Sequence, residues 1–450
     1  MKKNQTRRNF IATALSGAAA TVVAPSAFAG KTPVSTLEGV CNTPLQASGL
    51  PNSPVFPSSP ISPTRVSPSE FIIFPWGGMP GDPEKGAWGD LADMDAMMRD
   101  LYDTGFNTSG FTGVQNLKHA RNNRLMVIVS AGVNTNQEIT QEKADATIQT
   151  LMESITDPED RKAVYAVYLR DEPNASLFPK LNIWSEAVKK QGVMPYINLF
   201  PDYATPEQLG SKDYEDHLDQ YVKICKPPYI SYDNYSLFEG GRLEEERFYC
   251  NMESVRNKSL QAGIPFWNVI LGNGHFHYAE PSDATLAIQV YSTLAYGGKG
   301  IGYFTYYTPQ VGNYRLAPID RFGYRTKTWG MMRNINLQIH SLVPVYSGLK
   351  SVNVFHTGAV PRNGHGIDSA KFVETISGAS MLVGEFVDGS GKPYAMIVNK
   401  NTQSSVSFDV QFKTKGKIML ISQFNQGRPA FSGEQKWLSP GCGTLVTIDN

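Results

Sequence analysis

The chain has 450 residues, 41% of them hydrophobic and 18% charged, with Lys+Arg and Asp+Glu both at 41. A chain of this length and composition can bury a large core, and wholesale disorder is excluded. A formal net charge of zero supplies no overall field that would draw the protein to nucleic acid or to an anionic membrane, so neither is expected as a partner.

Lys2, Lys3, Arg7 and Arg8 open the chain, an Ala-rich apolar run follows over 11–23, and Ala27-Phe28-Ala29 is a small-x-small cleavage site. Thr6-Arg7-Arg8-Asn9-Phe10-Ile11 resembles the twin-arginine export signal, with an ordinary secretory signal as the alternative. Residues 1–29 are therefore read as a signal peptide. No later stretch is long and apolar enough to span a bilayer, so the expectation is a periplasmic or extracellular protein without membrane insertion. Over 30–69 proline recurs about every third residue from Pro44 to Pro68, which reads as an extended segment. Four cysteines (Cys41, Cys225, Cys250 and Cys442) are too few for a disulfide scaffold. Cys225 and Cys250 flank one predicted βα unit and are candidates for a bridge.

From residue 70 to 348, short apolar runs alternate with stretches of helical period. The strands are expected at 71–74, 105–108, 125–129, 164–169, 194–199, 229–232, 266–271 and 300–304. Helices are expected between them, among them 91–104, 139–155 and 283–296, with a last one over 326–345. Eight such units are the number that closes a (β/α)8 TIM barrel. A doubly wound open sheet is the alternative, and no GxGxxG follows the first strand to support it. Gly105, Gly192, Gly263 and Gly297 stand where helices must end and turn back. From 349 to 450 the pattern becomes alternating strands with polar turns, including the hairpin loop Asp388-Gly389-Ser390-Gly391-Lys392, which predicts a C-terminal β-sandwich.

In such a barrel the chemistry sits at the C-terminal ends of the strands. The fourth window, Tyr168-Leu169-Arg170-Asp171-Glu172-Pro173, places two carboxylates at a strand mouth. It resembles the Asn-Glu-Pro or Asp-Glu-Pro signature on strand four of the barrel glycoside hydrolases related to β-galactosidases and cellulases. The passage from Tyr291 to Phe304, and the β-strands around Val383–Asp388 and Tyr394–Asn399, are similar to that superfamily as well. The resemblance spans most of 70–450 and implies that Glu172 is a general acid acting on a carbohydrate substrate, with no cofactor. It also implies a carboxylate at the end of strand seven, where this chain has Asn273-Gly274-His275.

Glycoside hydrolysis needs a second carboxylate as base or nucleophile. Asp233 at the end of strand six is the first candidate, Glu280 in the loop after strand seven the second, and Asp202 after strand five the third. Strand ends two apart, one bearing a short Asp, favour the wider separation that admits a water and inverts the anomer. Trp76, Asp171, Asp202, Tyr235, Trp267, Asn273, His275, His277 and Tyr306 are candidates to stack on sugar rings or bond their hydroxyls. His275-x-His277 is read as substrate-contacting or structural, and no metal site is expected. The competing readings are a non-catalytic carbohydrate-binding barrel, and a metal-dependent hydrolase using His275, His277 and Asp233. The Pro-Trp-Gly-Gly end of strand one argues against the latter.

Overall fold

The computed structural model describes residues 64–78 and 93–449; the expected signal peptide, Cys41 and most of the expected extended segment lie outside them. Eight parallel strands form one sheet: β1 (Ile72–Pro75), β2 (Thr108–Thr112), β3 (Met126–Ser130), β4 (Val164–Asp171), β5 (Met194–Leu199), β6 (Ile230–Asp233), β7 (Phe266–Leu271) and β8 (Gly300–Phe304). From β2 to β8 each pairs with the next in chain order, and β8 pairs with β1. The ring closes between β1 and β2 through Asn107, whose backbone N–H donates to the Ile73 carbonyl at 3.2 Å. Its side-chain oxygen accepts the Ile73 N–H at 2.9 Å. An open sheet would leave those groups at a bare edge.

The helices that cross between strands are α1 (Met94–Asp103), α2 (Leu117–Asn122), α3 (Gln141–Glu153), α4 (Phe178–Lys190), α5 (Tyr214–Cys225), α6 (Glu245–Ala262) and α7 (Asp283–Ala295). The long helix α8 (Lys327–Tyr346) follows β8. Gly105, Gly192, Gly263 and Gly297 all take positive φ, as expected of helix-ending glycines. Strand two is the main departure: the sequence pattern places it at 105–108, and the structure at Thr108–Thr112. Gly105 to Asn107 instead make the turn and the closing contacts, and the extra length carries Ser109 to Phe111 up to the mouth.

The barrel interior is filled by aromatic rings. Trp267 of β7 stacks on Tyr229 with centroids 3.6 Å apart, and Phe74 and Tyr196 pack against it. Gly300 makes room for it, because a Cβ there would lie 2.7 Å from the Trp267 ring and 2.4 Å from Ile72 Cγ2. The foot of the barrel is closed by the segment entering β1, where the Val66 N–H donates to His340 Nδ1 at 3.1 Å. His340 Nε2 then carries the proton and donates to the Gly105 carbonyl at 2.8 Å; burial pushes this imidazole down to about 4.

The chain changes from helix to strand between Tyr346 and Lys350. Five antiparallel strands, Lys350–His356, Met381–Val387, Pro393–Asn399, Gly443–Asp449 and Lys417–Ile421, form one sheet in the order first, second, third, fourth, fifth as given. Two short ladders, Val373–Ile376 with Val410–Phe412 and Val406–Ser407 with Trp437–Leu438, supply the facing layer. Phe355, Val383, Ile397 and Val446 from the sheet meet Phe408, Phe412 and Phe431 in one core. Barrel and sandwich share α7, whose residues Thr285–Ala295 are all buried, in keeping with a sequence that carries no charged residue after Asp283. Gly384 lets the sheet approach: a Cβ there would sit 1.9 Å from the Ala295 carbonyl oxygen.

Cys225, Cys250 and Cys442 are free thiols, so the candidate bridge between Cys225 and Cys250 is not formed. Cys225 donates to the Phe178 carbonyl and Cys250 to the Arg362 carbonyl, at 3.5 and 2.9 Å. Among the described residues no helix is long and apolar enough to cross a membrane.

Candidate active site at the barrel mouth

The arrangement at the mouth starts from an irregularity in β4. Side chains of a strand alternate, so Tyr168 and Asp171, three apart, should face opposite ways. The pairing with β5 slips by one residue between Tyr168 and Arg170, so that Tyr168 lies opposite Tyr196 and Asp171 opposite Asn198. Tyr196 and Asn198 are two apart on a regular strand and share a face. The bulge therefore turns both Tyr168 and Asp171 toward the interior.

Asn198 is the centre of the group. Its amide nitrogen donates to Asp171 Oδ1 at 3.2 Å and to Asp233 Oδ1 at 3.1 Å, joining the ends of β4 and β6. Two oxygens sharing one donor at these lengths lie within about 6 Å of each other. The Asn198 side-chain Oδ1 accepts from Ser231 Oγ at 2.8 Å, and Ser231 Oγ meets the Tyr196 hydroxyl at 3.2 Å. Asn198 and Asp233 are each 1% exposed, so this chain of polar groups is held away from bulk water except at Asp171, which is half-buried.

Glu172 follows directly. Its backbone N–H completes the strand ladder by donating to the Asn198 carbonyl at 2.8 Å, and its φ is +43°. A left-handed conformation without glycine costs on the order of 1 kcal/mol and persists where the surroundings impose it. Here the ladder bond before it and buried Pro173 after it do so. Beside the carboxylates, Gly110 permits β2 to approach β1, since a Cβ would lie 2.0 Å from the Pro75 carbonyl oxygen. Phe111 consequently lies 4.3 Å from Tyr168 and 5.2 Å from Trp76, centroid to centroid. The Trp76 indole N–H is buried without a protein acceptor.

The far wall comes from the loops after β6, β7 and β8. Tyr235 packs near Phe304 and His275, and its N–H donates to the Tyr203 hydroxyl at 3.1 Å. The Thr305 hydroxyl donates to the Tyr307 carbonyl and accepts from the Asn273 amide, which orients that amide. Asn273 Oδ1 then accepts from His275 Nδ1 at 3.0 Å, which places a proton on Nδ1. His275 is buried and stacks on Tyr314 with centroids 4.9 Å apart.

The structure thus brings together Trp76, Asp171, Glu172, Asp233, Tyr235, Asn273 and His275 of the residues selected from the sequence. Others lie elsewhere. Trp267 belongs to the packed interior beneath the mouth. Tyr306 points outward, its hydroxyl bonded to Asp100 of α1 and to Thr104. His277 is exposed and stacks on Phe238 rather than pairing with His275. Glu280 is held on the rim by Arg315, Nε to Oε1 2.7 Å. Asp202 faces α6: its N–H donates to Asn251 at 3.3 Å and its Oδ1 is buried without a partner. Burial pushes this carboxyl up to about 6, against the attraction of Arg247 and Arg362. Arg170 bonds Thr135, not an acid. Among the described residues no three His, Cys, Asp or Glu side chains are grouped to hold a metal ion. Asn198, Tyr168 and Tyr196 were not among the residues picked from the sequence, because they lie inside strands rather than in the windows beyond them.

No family model matches the chain, and no curated protein matches it in sequence. Solved structures are similar to it at low identity. A family 39 glycoside hydrolase from the gut symbiont Bacteroides cellulosilyticus WH2 has 12% identity and a TM-score of 0.47, covering 84% of this chain and 81% of its own. A family 51 α-L-arabinofuranosidase from Bifidobacterium longum has 10% identity and a TM-score of 0.47, over 87% and 97%. A β-galactosidase from the psychrophilic Marinomonas ef1 has 9% identity and a TM-score of 0.46, over 63% of each chain. Identities this low leave the chemistry of this chain to its own residues.

Proposed function

We propose that the protein is an exported glycoside hydrolase, with Glu172 as general acid and Asp233 as the second carboxylate. The observation that carries this reading is the single amide of Asn198 donating to both Asp171 and Asp233, with Glu172 next in the chain. Two carboxylates on opposite sides of a bound sugar are what glycosidic cleavage requires. In the inverting form, Asp233 takes a proton from water and the water oxygen bonds the anomeric carbon. The bond to the leaving oxygen breaks as that oxygen takes the proton of Glu172. Asp171 bonds the amide that orients Asp233. Trp76, Phe111 and Tyr235 offer rings for the apolar faces of a sugar, and the Trp76 N–H offers a donor for its hydroxyls.

The test is hydrolysis of a panel of plant, bacterial and host glycans, with the product anomer followed by proton NMR. The wild type releases sugar of inverted configuration. Glu172→Gln and Asp233→Asn each lose about 10²- to 10⁴-fold in rate. A retained anomer refutes the inverting assignment of Glu172 and Asp233. Asn273, bonded to Thr305 and His275 where the resembled superfamily has a carboxylate, favours the second reading, a barrel that binds carbohydrate without cleaving it. Binding with no release from any glycan would put that reading first.

A further inference from the structure

Three aromatic rings stand in solvent on the loops that follow β7 and β8: Phe276 at 45% exposure, Phe322 at 68% and Tyr324 at 56%. Single exposed rings are common on protein surfaces. These differ in how the chain holds them. Phe276 has a φ of +47°, and Asn313 clamps it there from the neighbouring loop: Asn313 Oδ1 accepts the Phe276 N–H at 2.7 Å and its amide donates to the Phe276 carbonyl at 3.0 Å. A strained backbone fixed by a two-point clamp is a built feature, and what it builds is an outward ring.

The second loop is fixed in the same manner. Asp320 Oδ1 accepts the N–H groups of Phe322 and Tyr324 at 2.8 and 2.9 Å, closing a turn that carries both rings. Arg321 is drawn inward onto the carbonyls of Pro309, Gly312 and Tyr314 at 3.0–3.1 Å. Arg325, half exposed, pairs with buried Asp100 at 2.6 Å and lies over Trp329. With the arginines on either side anchored, Phe322 and Tyr324 are left on the surface. Phe276 is continuous with the mouth: buried His275 stacks on Tyr314, and Tyr314 packs 6.0 Å from Phe276; the second loop joins the same residue where Arg321, next to Phe322, donates to the Tyr314 carbonyl. Uncharged ring faces running out from a sugar site suit the C–H faces of further sugar rings.

We infer that Phe276, Phe322 and Tyr324 form a platform for sugar units beyond those flanking the cleaved bond. The substrate is then a glycan chain that extends out of the barrel, not a disaccharide. This rests on the glycosidase reading above and specifies its substrate class. The test uses the full chain and two variants, Phe322→Ala/Tyr324→Ala and Phe276→Gly, the latter because glycine accepts the left-handed backbone. Affinity electrophoresis is run through gels containing xylan, β-glucan, galactomannan or arabinan, beside hydrolysis of 4-nitrophenyl monosaccharides. At least one polysaccharide is expected to retard the wild type, and the double variant to weaken that binding about 10- to 30-fold. Rates on any 4-nitrophenyl substrate that the wild type cleaves should stay within about twofold, since that substrate does not reach the platform. Equal retardation of variant and wild type overturns the proposal, as does a wild type that no polysaccharide retards. Unchanged retardation with a dimer lost on sedimentation would assign the rings to contact between copies of the chain. Retardation lost in the variant while no aryl glycoside or glycan is cleaved would keep the platform and remove the glycosidase reading.

Discussion

Asp202 is half-buried between the end of β5 and α6, with its Oδ1 buried and without a hydrogen-bond partner among the described residues, and its carboxyl is raised to about 6. In the unfolded chain the same group ionises near 3.9. Because the folded state holds the proton more tightly, Asp202 favours folding fully below about pH 4, and this contribution is lost as pH rises through about 6. A difference of roughly two pH units corresponds to at most about 3 kcal/mol at neutral pH, where the folded protein must carry a partly desolvated charge. Arg247 and Arg362 offset part of the cost and Glu215 adds to it, and all three neighbours remain in place. Asp202→Asn has nearly the same shape and no charge. It is therefore expected to melt higher than the wild type by roughly 2–4 °C at pH 7.5, with the difference disappearing by pH 4. Differential scanning calorimetry at half-unit intervals over that range measures it. A variant that melts lower at pH 7.5, or a difference that does not change with pH, would show that burial does not govern this carboxylate.

Three further outcomes follow from particular contacts. Asn198→Ala removes the donor shared by Asp171 and Asp233 and the acceptor for Ser231, and should lower kcat by about 10- to 100-fold with KM little changed. Steady-state kinetics checks it, and a change in KM alone would assign Asn198 to substrate binding. Glu385→Ala leaves the N–H groups of Lys371, Phe372 and Val373 and the Asn353 amide without their buried acceptor, and should cost about 3–5 kcal/mol by urea denaturation. Gly300→Ala forces a methyl group against Trp267 and Ile72, at an expected cost of about 1–3 kcal/mol with a shift in tryptophan emission.

Much of the barrel is legible from local pattern. Strands β5, β7 and β8 fall where the apolar runs place them, because buried parallel strands are continuous runs of Val, Ile and aromatic residues between turn signals. Strand β2 is misplaced because Thr108-Ser109-Gly110 carries no apolar run. Its position is fixed by Asn107 closing the ring and by Gly110 packing on the Pro75 carbonyl, both long-range events. In the sandwich the hairpin loop over 388–392 falls between the strands Met381–Val387 and Pro393–Asn399, as its Gly-rich polar sequence indicates, whereas short strands such as Val373–Ile376 and Trp437–Leu438 have too few residues to show a period.

The site was legible in part for the same reason. Reading the residues just beyond each strand finds Glu172 and also selects Tyr306, and the sequence cannot say that Tyr306 turns toward α1. The bulge in β4 is equally silent, and it decides that Asp171 faces inward. Asn198 is hidden within an apolar strand, where a polar side chain is the one signal available: a buried Asn between Ile197 and Leu199 needs partners, and here its partners are the two aspartates.

The most direct test of the central assignment compares two leaving groups. A 2,4-dinitrophenyl glycoside of the released sugar departs without protonation, whereas a natural glycan needs a proton from the general acid. Glu172→Gln is expected to keep the first activity within about tenfold while losing about 10²- to 10⁴-fold on the second, and Asp233→Asn to lose both. Equal losses on the two substrates for Glu172→Gln, or an Asp233→Asn variant that cleaves either at the wild-type rate, would contradict it.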